Sequence, residues 1–257
     1  MLRHRFLFEQ LVRREMRQKY AGSALGVAWY VVNPLVLMGA YTLMFGKLIP
    51  QKIPDYPLFL MVGLMVWTFF SQSLTAGAYS LIEQAPLVRK ARFPRQAIPA
   101  AAVWVQFLTW LIVDAVLVVV SVAVRAPLGP ALLLLPVLAA LLFCFVLGCS
   151  TAVAALHAHF RDVAPVLTAA LLPWFFLSPI FFAPGQFGFV DSHPWVGIIL
   201  DWVNPVAPFI QAIRDVVYDG AVPDAGRLVY CVVAAAVAVG LGRGIFRRLD
   251  PELAVVL

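Results

Sequence analysis

The chain has 257 residues, 63% of them apolar and 12% charged, with a mean hydropathy of +0.91; a soluble domain carries about 45–50% apolar and about 25% charged residues, so a single water-soluble core is excluded. The net charge of +6 comes without a base-reading motif, and in so apolar a chain an excess of Lys and Arg sets membrane orientation rather than nucleic-acid binding. Cys144, Cys149 and Cys231 all fall inside apolar runs and read as small buried hydrophobes, not as a disulfide framework or a metal cluster.

In chain order, residues 1–20 (MLRHRFLFEQLVRREMRQKY) lack a continuous apolar stretch and a small-residue cleavage site, so they are expected to stay in the mature protein. Leu2, Phe6, Phe8, Leu11, Val12 and Met16 are interleaved with Arg3, Arg5, Arg13, Arg14 and Arg17. That pattern suits an interfacial helix with its apolar side in lipid and its arginines toward headgroups. The stripe is imperfect, and a solvated basic tail is the alternative.

A bilayer-spanning helix needs roughly 20 apolar residues, and six runs qualify, at about 25–48, 57–82, 98–124, 131–156, 163–183 and 228–246. The expected fold is all-α and integral to the membrane: six transmembrane helices in one domain over residues 1–257, both termini on one side. Fourteen Lys and Arg lie on that side and five on the other, so the positive-inside rule makes both termini cytoplasmic. Tyr30, Asn33, Leu37, Tyr41 and Met44 recur at three- and four-residue steps and share one face of the first span.

Two connections stand out. The loop at 83–97 combines Glu83, the basic residues Arg89, Lys90, Arg92 and Arg95, and Pro86 and Pro94; it either answers inner-leaflet surface charge or docks into a cytoplasmic partner. Residues 184–227 carry Asp191, Asp201, Asp215, Asp219 and Asp224 between apolar pieces too short to span. They read as a re-entrant hairpin packed against span five, with a loop lying on the bilayer surface as the alternative.

The chain has no G-x-x-x-x-G-K-[ST] to cradle nucleotide phosphates, so it does not hydrolyse ATP by itself, and G-x-S-x-G, H-E-x-x-H and Cys-x-x-Cys are absent too. His157 and His159 point to different faces of a helix and are set aside as metal ligands. Asp114, deep in span three, reads as a packing acceptor or a protonatable relay. Trp29, Tyr30 and Tyr41 in span one and Trp174, Phe175, Phe176, Phe181 and Phe182 in span five form dense groups. They suit interfacial belts and helix packing, or equally walls that present flat surfaces to sugar rings.

Three stretches carry a family resemblance. KYAGSALGVAWYVVNPL holds Tyr20, Ser23, Leu25, Gly26, Trp29 and Pro34; KARFPRQAIP holds Phe93 and Pro94; HFRD ends the fourth span with Arg161 and Asp162. With Asn204, Pro205, Val206 and Pro208 ahead of the last span, they resemble the membrane subunits of type-2 ABC exporters. Those proteins move lipid-linked polysaccharides or polyol phosphates across bacterial membranes for O-antigen, capsule or wall teichoic acid.

The resemblance implies a homodimer of six-span subunits in the bacterial inner membrane. Two separate ABC ATPase subunits would hold ATP and Mg, with no cofactor in this chain. It implies a coupling surface at Glu83, Arg89, Lys90, Arg92, Phe93, Pro94 and Arg95, and an amphipathic amino-terminal helix at the interface with Arg13, Arg14 and Arg17. Tyr30, Asn33, Tyr41, Trp174, Phe175, Phe176 and Phe181 become channel or lateral-gate residues for a lipid-linked glycan, with O-antigen the first candidate. The chain sits at the short end of such a family, with small outer loops, so glycan-cap recognition would fall to the ATPase. An exporter of a drug or small lipid is the first rival. A membrane glycosyltransferase is the second, and would need a tight pair of carboxylates or a metal that the dispersed acids of 184–227 do not offer.

Overall fold

A computed structural model describes residues 5–20, 28–48, 53–90, 93–125, 129–183 and 194–257, and every regular element among them is helical. In chain order these are α1 (Arg5–Tyr20), α2 (Trp29–Tyr41) continued by a π-helical segment Thr42–Leu48, α3 (Tyr56–Glu83), α4 (Ala85–Lys90) and α5 (Ala97–Arg125). A 3-10 turn at Pro130–Leu134 leads into α6 (Leu135–His159), followed by α7 (Val163–Leu177) and α8 (Pro194–Ile198) with a π segment Ile199–Val203. The chain closes with α9 (Ala207–Val217), α10 (Ala225–Leu249), a 3-10 turn Asp250–Glu252 and α11 (Leu253–Val256).

Among the described residues, four helical stretches are long and apolar enough to cross a membrane: Tyr56–Glu83, Ala97–Arg125, Pro130–His159 and Ala225–Glu252. They account for the runs expected at 57–82, 98–124, 131–156 and 228–246. The other two runs hold shorter apolar helices, Val32–Phe45 and Val163–Leu177. In the fifth, the helix stops at Leu177 because Ser178 precedes Pro179, and a residue before proline is pushed out of the α region; Ser178 is extended, with ψ 145°.

Burial separates these helices more sharply than composition does. In α3 78% of the most apolar window is buried, against 22–33% in the other three. α3 is therefore the central post, apolar on most of its circumference, while the others turn one face outward. α6 and α10 pack backbone to backbone: a Cβ on Gly148 would overlap the Ala238 backbone, and one on Gly242 would overlap Gly148. Small residues allow such an approach, which lets dispersion act over the full helix length. Gly242→Val is expected to cost about 1–3 kcal/mol, since backbone cannot move aside as a flexible side chain can; a thermal unfolding midpoint equal to wild type in detergent would refute it.

Two apolar clusters result. The larger joins α3, α5, α6, α7, α9 and α10. The smaller gathers Leu11, Leu81, Val88, Ile98, Phe246, Leu253 and Leu257 at the end of the bundle where the basic residues collect. This second cluster corrects the reading of the amino-terminal helix. Leu11 is buried and Leu7, Phe8 and Val12 pack beside it, so much of the apolar stripe of α1 faces protein rather than lipid, while Phe6, Arg13, Arg14 and Arg17 stay exposed.

At the other end, residues 184–193 of the segment expected at 184–227, with Asp191, lie outside the described residues, and the rest holds α8, its π segment and α9. In α9 ten of eleven residues are buried, more completely than packing on span five alone would require. It sits against α3 and α6 as well as α10.

Candidate functional site

A cavity of about 760 Å³ lies between α2, α3, α5 and α7, reaching Glu15 of α1 at the basic end. On α3 its lining residues Thr68, Gln72, Thr75, Tyr79 and Glu83 follow three- and four-residue steps, so they form one polar stripe down an otherwise apolar helix. α5 contributes Gln106, Thr109 and Trp110, and α7 contributes Thr168 and Phe175. The hydroxyls of Thr75, Thr109 and Thr168 donate to carbonyls four residues back, each at 2.9 Å. That satisfies the donor internally and leaves oxygen lone pairs free to accept from a ligand.

Of the anticipated channel residues, Asn33, Tyr41 and Phe175 line the cavity, with Trp29 and Leu37 beside them. The side chain of Tyr30 lies outside the described residues. Met44 is exposed and absent from the lining; from Thr42 the backbone winds as a π-helix, whose wider turn rotates later residues away from an α-helical stripe. Phe181, Phe176 and Trp174 are absent from the lining but buttress it. Tyr41, Phe175 and Phe181 meet with ring centroids 5.0–5.8 Å apart, Phe176 packs on Phe175 at 5.2 Å, and Trp174 stands against Trp67 at 6.1 Å. Edge-to-face contacts of this kind stiffen a wall. Asp114 is buried on α5, one turn beyond Trp110, and does not line the cavity.

The cavity's basic-end mouth carries two carboxylates. Gln84 Nε2 donates to Glu15 Oε1 at 3.5 Å. Burial, then the nearby Glu83 carboxylate, pushes the Glu15 carboxyl above its usual range, while the Gln84 hydrogen bond and Arg14 act the other way.

Below the mouth, α4 follows α3 after Gln84 alone. Val88 is buried in the smaller cluster, leaving Pro86 and Arg89 on the surface. The last residues of the chain hold this region: Arg89 donates to the Leu257 carbonyl, and Arg95 Nη1 donates to the Asp250 carbonyl at 2.7 Å and to its carboxylate at 3.3 Å. Phe93 packs at the rim of the cluster and Pro94 is exposed. Arg92 and the side chain of Lys90 lie outside the described residues.

The opposite end is closed by polar ties. Trp174 Nε1 donates to Asn204 Oδ1 at 2.8 Å, and Asn204 Nδ2 donates to Ser178 Oγ at 2.9 Å. Arg214, fully enclosed, donates to the carbonyls of Pro179 at 2.8 Å and Ile180 at 3.3 Å and lies 3.6 Å over the Phe59 ring. The acids here have local work. Asp201 accepts from Gln211 at 2.9 Å, Asp215 from Arg227 at 2.6 Å, and Asp224 caps α10 through the Gly226 amide. His157 packs edge-on against Tyr79 at 5.2 Å, and among the described residues no three metal-binding side chains gather.

Neither the α3 stripe nor Arg214 was singled out in the sequence. The stripe was legible in the spacing of Thr68, Gln72, Thr75 and Tyr79. Arg214 carried no signal beyond a loop charge, because its burial depends on α7 ending where it does.

Residues 7–218 match the ABC-2 type transporter membrane family. The chain belongs to that family. Two relatives extend the likeness: the O-antigen export system permease protein RfbA of Myxococcus xanthus, 28% identical over 98% of this chain and 95% of the relative, and the protein of the same name from Klebsiella pneumoniae, 28% identical over 98% and 96%. A second Klebsiella pneumoniae protein of that name is 29% identical over 77% of this chain and 80% of its own length. The matched region takes in α1 from Leu7 onward, the cavity, α4 and the whole of α9. As a member of this family the chain is an integral membrane protein, and the family implies an ABC ATPase partner.

Proposed function

We propose that this chain is the permease subunit of an exporter that carries undecaprenyl-linked O-antigen polysaccharide from the cytoplasmic to the outer face of the bacterial inner membrane. The observation that carries this reading is a cavity whose wall combines aromatic rings with a hydroxyl and amide stripe, in an ABC-2 chain similar along nearly its whole length to O-antigen permeases. Sugar rings offer an apolar face and hydroxyl edges, which such a wall meets on both counts.

In this reading two copies form a homodimer above two ATPase subunits that hold ATP and Mg. α2 with its π extension and α7 complete six spans, and both termini are cytoplasmic. The hairpin of α8 and α9 is re-entrant from the outer side. Trp29, Tyr30, Asn33, Tyr41, Phe175, Phe176 and Phe181 flank the polymer's route. Arg13, Arg14 and Arg17 of α1 lie at headgroup level, where anionic lipid and a carrier pyrophosphate are found. Glu83, Arg89, Lys90, Arg92, Phe93, Pro94 and Arg95 form the surface that receives motion from the ATPase, whose cycle alone supplies the differential affinity needed to set direction.

The test is the sidedness of undecaprenyl-linked glycan in cells depleted of the protein, probed with an impermeant lectin on intact and lysed spheroplasts. Full-length glycan trapped inside is expected. Glycan missing from both sides would favour a synthetic enzyme, and normal surface glycan would favour a drug or small-lipid exporter. Within this assay, Gln72→Leu combined with Thr75→Val should lower surface glycan several-fold at unchanged protein level, because each change removes a sugar-facing hydrogen-bonding group while keeping the helix.

A further inference from the structure

Resting on the reading of the cavity as the polymer's route, we infer that the cavity selects an uncharged polymer and turns back polyanionic ones. Among the described residues that line it there is no Lys or Arg; the charged groups are the carboxylates of Glu15 and Glu83 at its basic-end mouth. Everything else polar in the wall is a neutral hydroxyl, amide, phenol or indole. Deeper in, Trp110 lines the cavity and is buried, adding an uncharged aromatic surface of the kind that sugar rings pack on.

Charge arithmetic decides against a phosphodiester-linked or uronate-rich polymer. Each anion entering would lose its hydration with no cation to replace it, a desolvation cost that neutral hydroxyls do not incur. Before that it would pass Glu15 and Glu83, whose field is least screened where Glu15 is half-buried. The described basic groups of this end are not among the cavity's lining: Arg13, Arg14 and Arg17 are exposed on α1, and Arg95 is tied to Asp250. They suit a single carrier pyrophosphate at the headgroups, not a chain of charges along the route. Neutral sugars meet matched partners along the wall.

The experiment compares two polymers in one strain background that expresses the full exporter. One is the unmodified neutral glycan; the other is the same glycan bearing glucuronate branches added before export. Surface and internal glycan are measured on intact and lysed cells for wild type and for the Glu15→Gln/Glu83→Gln and Glu15→Lys/Glu83→Lys pairs. Wild type is expected to deliver the neutral polymer and retain most of the acidic one. The ratio of acidic to neutral polymer at the surface should rise on the order of threefold in the Gln pair and further in the Lys pair, as repulsion is removed and then reversed.

Neutral polymer at the surface certifies that a variant folds and assembles; because Glu83 also belongs to the proposed coupling surface, Glu15→Gln and Glu15→Lys alone carry the same comparison where a pair delivers no neutral polymer. Equal delivery of both polymers by wild type, or a ratio unmoved by either pair, overturns the selectivity while leaving the export reading intact. Neutral glycan that reaches the surface without the protein overturns the export reading itself.

Discussion

Arg214→Ala is expected to be the most damaging single substitution in the chain, lowering stability by roughly 3–5 kcal/mol, the range for removing one member of a buried charged arrangement. Two carbonyls, those of Pro179 and Ile180, lose their donor together, and each buried acceptor left unmade costs about 1–3 kcal/mol. The Phe59 ring loses the cation above it, and Asp215 and Asp219 lose the positive charge they feel from this side chain. Arg214→Lys should fall between, because an ammonium reaches one carbonyl but lacks the planar fork that serves both.

Gly63→Ala probes the same joint from the other side. A Cβ there would come 2.6 Å from Arg214 Nη2, so the guanidinium must shift and the milder version of the same loss should appear. Tryptophan-monitored unfolding in mild detergent ranks the variants. Equal stability of Arg214→Ala and wild type would mean that the turn after α7 finds other donors.

Leu253→Asp is expected to disconnect the permease from its motor with the four long helices intact. Leu253 is fully enclosed in the cluster that also holds Val88 of α4 and Leu11 of α1. An unpaired carboxylate there cannot be accommodated, and α11 must leave. Arg89 and Arg95 would then lose the Leu257 and Asp250 contacts that steady the proposed docking surface. Surface glycan should fall more than about tenfold, a size common when positioning elements are released, with co-purifying ATPase reduced and helical content by circular dichroism unchanged. Charge reversal at Arg89, Lys90 and Arg92 together should also break ATPase association, since rim charges govern docking. Export and co-purification unaffected by both changes would reduce 83–97 to an orientation signal.

The sequence by itself determined the membrane character, the positions of the four long helices and the family. Those follow from runs of apolar residues and from local motifs, which need no knowledge of neighbours. Helical periodicity also put Asn33 and Tyr41 on one face before anything packs there, and both line the cavity.

What that face meets is a different matter, and only the tertiary structure decided it. Nothing local distinguishes α3 as the central post, for its hydropathy of 1.6 is the lowest of the four long helices although it is the most buried. The stripe of Thr68, Gln72, Thr75 and Tyr79 lowers its apolarity because it borders a cavity rather than lipid. Leu11 turned toward protein through a cluster assembled from seven separate helices. Arg214 became a buried keystone through carbonyls more than thirty residues away. In each case the partner is distant in sequence, and burial, unlike periodicity, is a property of the pair.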